Sequence, residues 1–457
     1  MATCPKLTRL HSLLVGLVSL AVSTVQLGSE AAQFPIATNA QTFFFGASSG
    51  SNYLVPLLVS GSNITAQLVS TNGSLIGPQI PIGNGNGYPQ SALGNTNYLV
   101  CWDDDYVISG VHAFGQFISR AGATNGSRFP LTTNSSLGMQ SVAFDGTNFL
   151  VVLRTDQDFF YGQFVTAAGA LSGSEFLISN QQGSSGNPSV AFGTNDYLVV
   201  WQSNNGSVGN VEKTYGAFVS TAGSVSSPFQ ISQTNSLDQN PLVVAFDGTN
   251  YLVVWNRDTQ LDTNGAPVDF HLYARVVSPA GVFAGDEFAL VAGPGNQRFP
   301  NLAFGGGNYL LTCMDQPGIT NYVLRHRFFS AANQPLGVEF SLNLYPLGGV
   351  IFGGQQYLAV GGFSSGASVD VYGAVVPTIT TPPRLDVLRP LTNGQFQLRL
   401  TGTPGINYAI QAATNALAAN TLWTALATNA ATNSSFAFDF ADPNATNRSR
   451  FYRALKP

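Results

Sequence analysis

The chain has 457 residues, 44% of them hydrophobic and only 9% charged, with 49 glycines and a net charge of -5. That apolar content excludes a disordered chain and suits many short strands joined by polar turns. From Gln33 to Pro377, 9 Lys/Arg stand against 19 Asp/Glu; this acidic body excludes a nucleic-acid binder, which needs a basic footprint.

The first 31 residues read as a signal peptide. Lys6 and Arg9 give a positive start, Leu13 to Val22 a short apolar run, and Ser29-Glu30-Ala31 or Ala21-Val22-Ser23 small residues for cleavage. The run is too short to span a membrane, and no second long apolar segment follows. The expectation is an exported protein, extracellular or at the cell surface, with the periplasm as the other destination. Cys101 and Cys313 alone remain after cleavage; they lie in different copies of one repeated strand, which predicts two buried free thiols.

From residue 33 to 377 one phrase returns seven times, an aromatic followed by aliphatics and often a Trp. Its aromatics are Tyr53, Tyr98, Phe149, Tyr197, Tyr251, Tyr309 and Tyr357, at steps of 45, 51, 48, 54, 58 and 48 residues. A period near 50 is that of propeller blades. The fourth copy shows the unit: strand Pro188–Phe192, turn, strand Tyr197–Trp201, polar loop, strand Tyr215–Ser220, turn, strand Phe229–Ser232. The second strand is apolar at every position, which predicts burial on both faces. Small residues in the first strand (Ala92, Ala143, Ala191, Ala245, Ala303) fit a crowded central channel.

The seventh copy stops after its third strand, Tyr372–Val376, while Phe34-Pro35-Ile36-Ala37 resembles the fourth strands Phe129-Pro130-Leu131-Thr132 and Phe229-Gln230-Ile231-Ser232. The fold expected is therefore all-β, a seven-bladed β-propeller of four-stranded blades whose N-terminal strand closes the last blade. A Thr/Pro linker at 378–384 leads to residues 385–457, where 7 Lys/Arg stand against 3 Asp/Glu among residues 378–457. Strands near Leu385–Leu388, Phe396–Leu400, Tyr408–Ala412, Leu422–Leu426, Phe436–Phe440 and Phe451–Arg453 predict a small C-terminal β-sandwich.

The repeats resemble the Asn-Tyr-Leu-Val-Val-Trp proteins of secreted bacterial open reading frames, best at Asp196–Trp201 with Tyr215-Gly216 and at Asn250–Trp255. The sixth copy departs, with Arg325-His326 in place of Tyr-Gly. The resemblance implies a propeller and carries no activity. The tail, through Gly405, Tyr408-Ala409-Ile410-Gln411, Thr414-Asn415, Trp423 and Arg450-Phe451-Tyr452-Arg453, resembles a C-terminal module common in exported proteins of Verrucomicrobia-like bacteria. That resemblance implies sorting or surface attachment.

Strand order puts the stereotyped first-to-second and third-to-fourth turns on one plain face. The variable second-to-third and fourth-to-first connections share the other face, where function is expected. Its candidate ligand-binding residues are Asp103, Asp104, Asp105, Tyr106, Arg154, Asp156, Asp158, Gln202, Asn256, Arg257, Asp258 and Asp315, with Asn204, His271 and Gln316 nearby. Paired carboxylates there would suit glycoside hydrolysis; solvated turn acids are the plainer reading. Three adjacent acids at Asp103–Asp105 would gain from a cation, and Asp262, Asn264, Gly265 and Asp269 faintly echo a calcium loop. No cofactor is otherwise called for. Trp102, Trp201 and Trp255 share one repeat position, which points to packing rather than sugar stacking. His112, His271 and His326 form no metal motif.

The reading is a non-enzymatic, monomeric binding propeller for a polysaccharide or an extracellular protein. Its rivals are a polysaccharide hydrolase or lyase and a structural envelope protein.

Overall fold

The computed structural model describes residues 32–43, 46–59, 62–85, 88–104, 113–134, 137–181, 188–204, 212–233, 238–261, 267–293, 295–316, 322–342, 345–364 and 369–378, and six strands of the C-terminal unit. The residues at 1–31 that carry the signal-peptide reading lie outside this set, as do Asp105, Tyr106, His112, Asp262, Asn264 and Gly265. The chain divides into two compact units, with a boundary between Thr378 and Ile379.

The N-terminal unit is a seven-bladed propeller. Each blade is a four-stranded antiparallel meander; the second runs Gln90–Leu93, Asn97–Asp103, Ala113–Ser119 and Thr124–Pro130. First strands of adjacent blades touch one another round the ring, including the seventh against the first. Apolar layers fill the spaces between blades: Leu150, Val152, Phe160 and Phe164 of the third blade pack with Tyr197, Val199 and Trp201 of the fourth. Each second strand feeds two such layers, which is why it lacks alternation.

The tyrosine of the repeat phrase latches each blade to the one before it. Tyr53, Tyr197 and Tyr251 donate their hydroxyls to the carbonyls of Gln356, Asn148 and Asp196 at 3.0, 3.0 and 2.7 Å. Tyr357 donates to Asn308 O at 2.6 Å, and Tyr98 to Asn52 O at 3.1 Å. Each bond reaches the first-to-second turn of the preceding blade, and Tyr53 carries the pattern across the seam from first to seventh. Burial pushes these phenols up, so they stay donors. The turn must be small where the ring enters: a Cβ on Gly193 would lie 2.0 Å from the Tyr251 Oη. Phe149 packs against Gly94 in the same way without a hydroxyl.

Trp supplies a second latch at the far end of the strand. Trp102 Nε1–H donates to Asn84 O at the end of the first blade's outer strand (3.1 Å), and Trp201 Nε1–H to Gln181 Oε1 beyond the third's (3.1 Å). All three repeat tryptophans are buried. A third device holds the outer strand. The amides of Gln67, Gln116 and Gln163 each donate to three carbonyls, two of them in the neighbouring strand around Gly77, Gly126 and Gly173, which have positive φ.

The N-terminal strand, Gln33–Phe43, closes the ring. Phe34 and Ala37 pair with Gly373 and Val371 of the seventh blade's third strand. A Cβ on Gly373 would meet Ile36 at 2.8 Å and Phe34 at 2.9 Å, just as one on Gly115 would meet Leu131 and Phe129. The Phe-x-aliphatic fourth strand thus rests on the glycine that follows the third-strand aromatic in both blades. The strand also goes further than expected. Its end, Ala40 to Phe43, pairs with Leu57 to Val59 of the first blade, whose own first strand is only Ala47–Ser48. One strand therefore joins the first and seventh blades into a single sheet.

The C-terminal unit has two three-stranded antiparallel sheets. One orders Arg384–Pro390, Phe396–Thr401 and Ala437–Ala441; the other Thr424–Ala430, Asn407–Ala413 and Phe451–Leu455. Cys101 and Cys313 are free and buried, and burial pushes both thiols up, leaving them inert.

Candidate functional site

The candidate residues fall at the loop-rich end of the second strands, but most are not open to solvent. Gln202, Asn256, Arg257, Asp258 and Asp315 are buried. Burial of Asp258 and Asp315 corrects the expectation of solvated turn acids there: the strands run on past the Trp position, so these side chains enter the layers between and within blades. Asp104, Arg154 and Asp158 are half-buried, and Asp156 is exposed.

Charge is compensated locally around this face. Asp104 pairs with Arg128 at 3.0 Å. Asp158 takes the guanidinium of Arg154 across a tight turn in which its own φ is +65°. That turn is short, whereas a long loop was expected. Arg257 pairs with Glu287 at 2.5 Å and lies 3.9 Å over the Tyr273 ring. Asp315 accepts from Gln297 Nε2 at 2.9 Å and pairs with Arg325 Nε at 2.5 Å; Arg325 in turn binds Glu339. Gln202 finds no partner for either amide atom among the described residues. His271 Nε2 lies 3.2 Å from Gly293 O. Asp269 stands in a strand opposite Gln260. Among the described residues, no three His, Cys, Asp or Glu side chains converge as metal ligands do.

One carboxyl and one imidazole are strongly perturbed. Asp103 accepts from Met139 N–H of the third blade at 2.6 Å, and burial pushes its carboxyl up to about 7. His326 occupies the position that is glycine in the second, third, fourth and seventh blades; its ring stacks on Phe340 at 5.0 Å, and burial pushes it down to about 3. The two act oppositely on stability. The unfolded chain protonates His326 first, so its term is complete above pH 6.5 and is lost as pH falls toward 3, about 2 kcal/mol by pH 5. The folded state holds the Asp103 proton, so that term is present below pH 3.8 and is lost as pH rises through 7. The pair should leave wild-type stability nearly flat between pH 7 and 5. Asp103→Asn should uncover the acid loss of about 2 kcal/mol, and His326→Gln should uncover a gain on acidification. Urea midpoints at the two pH values check this; parallel pH profiles for all three proteins would refute it.

Three exposed aromatics that the sequence reading passed over share the loop-rich face. Tyr88 (55% exposed) precedes the first strand of the second blade, Phe299 (39%) sits at the start of the sixth blade's first strand, and Tyr322 (42%) just precedes that blade's third strand. Tyr88-Pro89 and Phe299-Pro300 occupy one repeat position, four and three residues before Ala92 and Ala303, which pair with Leu99 and Leu310. An aromatic before a recurrent proline was the available signal.

No family model and no curated protein sequence matches the chain. Solved structures do. A Burkholderia pseudomallei lectin superposes with a TM-score of 0.54 at 16% identity, over 75% of this chain and 97% of that one. That likeness supports the propeller architecture described above. The β-propeller domain of the Trilobed protease from Pyrococcus furiosus gives a TM-score of 0.46 at 8% identity, over 73% and 95%. At these identities the likeness concerns architecture and assigns no ligand.

Proposed function

We propose that this protein is an exported, non-enzymatic binding propeller that recognises a carbohydrate or protein ligand at its loop-rich face. The C-terminal unit, whose two sheets we read as a small β-sandwich, would serve sorting or surface attachment. The observation that carries the reading is the character of that face. It holds the exposed aromatics Tyr88, Phe299 and Tyr322, while the exposed large side chains of the plain-face turns, Leu75 and Val282, are aliphatic. Aromatic rings offer large rigid contact area at small entropic cost and favour binding surfaces. Three of the acids that would act in hydrolysis are engaged instead: Asp104 with Arg128, Asp158 with Arg154, Asp315 with Arg325. The lectin's name accords with a glycan ligand and adds no more than that.

The test incubates the purified protein with plant, algal and bacterial polysaccharides, with and without calcium. Pull-down and release of reducing or unsaturated ends are read from the same tubes. Binding without release is expected. Release abolished by Asp258→Asn would make the protein an enzyme and end this reading.

A further inference from the structure

Phe299 is the one aromatic with positive φ among the described residues, at +54°; the other non-glycine cases are Ser62, Asp158 and Asn333, whose small polar side chains tolerate that region. Proline follows it, which restricts the backbone further. A bulge enforces the conformation: Arg298 pairs with Met314 and Asn301 with Thr312, so the first strand carries one residue too many. The bulge is pinned from the seventh blade, where Val350 N–H donates to Asn301 Oδ1 at 3.1 Å. The ring this strained residue carries is 39% exposed. Ordinary folding gains nothing from holding a large apolar ring outward at a backbone cost, and strain of this kind gathers at functional sites.

The neighbours form a site. The Arg298 guanidinium lies 3.6 Å over the Phe270 ring of the fifth blade, is half-buried, and has no acceptor for its Nε–H among the described residues. Tyr322, 42% exposed, precedes Val323, which pairs with Asp315 opposite Gln297, so the strand register brings it to the same end of the blade as Arg298. The propeller body is acidic, with 19 Asp/Glu against 9 Lys/Arg, which disfavours an anionic ligand. Two exposed rings beside a donor without an acceptor suit a ligand with an apolar face and a hydroxylated rim.

Resting on the binding reading above, we propose that the junction of the fifth and sixth blades is a subsite for a neutral sugar unit of a polysaccharide, stacked on Phe299 and Tyr322 with its hydroxyls toward Arg298. Tyr88, at the equivalent repeat position, marks a lesser copy in the second blade.

The experiment measures affinity of the purified protein for xyloglucan, galactomannan and laminarin as neutral probes and for alginate and polygalacturonate as acidic ones, together with Tm. Wild type should bind at least one neutral probe. Phe299→Gly should weaken that binding at least tenfold and leave Tm little changed, because relief of the strained φ offsets the loss of the covered part of a ring that is 39% exposed. Tyr322→Ala should weaken binding at least tenfold with Tm unchanged. A lower Tm in Phe299→Gly would make the ring a packing residue and overturn the proposal, as would binding of acidic probes alone. Wild-type binding retained by both variants would sink this subsite and leave the binding reading standing. Silence of the wild type toward every probe would sink the subsite and the carbohydrate arm of that reading together.

Discussion

Replacing Ile36 with aspartate should cost more than about 4 kcal/mol, enough to unfold much of the propeller at 37 °C. Ile36 is 3% exposed and lies with Phe34 over Gly373, in an apolar layer that includes Tyr53, Val55, Leu358 and Val371. Among the described residues of that layer a carboxylate meets apolar side chains. The position also closes the ring. The strand that carries Ile36 is the fourth strand of the seventh blade and then pairs with the first blade, so loosening it opens both at once. Ile36→Val removes one methylene and should cost only about 1 kcal/mol. Urea unfolding followed by tryptophan fluorescence separates the two, since Trp102 and Trp201 lie in layers away from the seam. An Ile36→Asp protein as stable as wild type would mean that the N-terminal strand is dispensable and the ring closes by other contacts.

Trp201→Ala should cost about 3–5 kcal/mol. The indole fills the layer between the third and fourth blades against Phe160, at 6.0 Å between ring centroids, and its N–H reaches Gln181. The truncation therefore leaves a large cavity and removes the tie to the preceding blade's outer strand. Trp201→Phe keeps much of the volume and loses the hydrogen bond, so a cost of about 1–2 kcal/mol beyond the smaller ring's own deficit is expected from the unpaired acceptor. Thermal denaturation of both variants checks the ordering. Unchanged stability with weakened polysaccharide binding would instead make the tryptophan a stacking platform, a reading its burial opposes.

The sequence by itself determined the architecture of the N-terminal unit. Repetition is a one-dimensional property: seven aromatic phrases, the all-apolar second strand and the displaced Phe34-Pro35-Ile36 each follow from local residue types and periods. The C-terminal segment carries no repeat phrase, and only its turn signals marked strands there. What the phrase is for was decided only in three dimensions. A tyrosine at its start and a tryptophan near its end look like hydrophobic filling until the preceding blade supplies a carbonyl for each. The polar face was the least legible. Asp258 and Asp315 read as solvent-facing because acids usually are, yet both are buried, and Asp315 has Gln297 and Arg325 around it. The repeat pattern did not single out Phe299; its exposure comes from a bulge whose register depends on how the second strand and the next blade hold Asn301. Burial and pairing of a polar or aromatic side chain are properties of what lies across from it, and in a ring of blades that partner stands about fifty residues away along the chain.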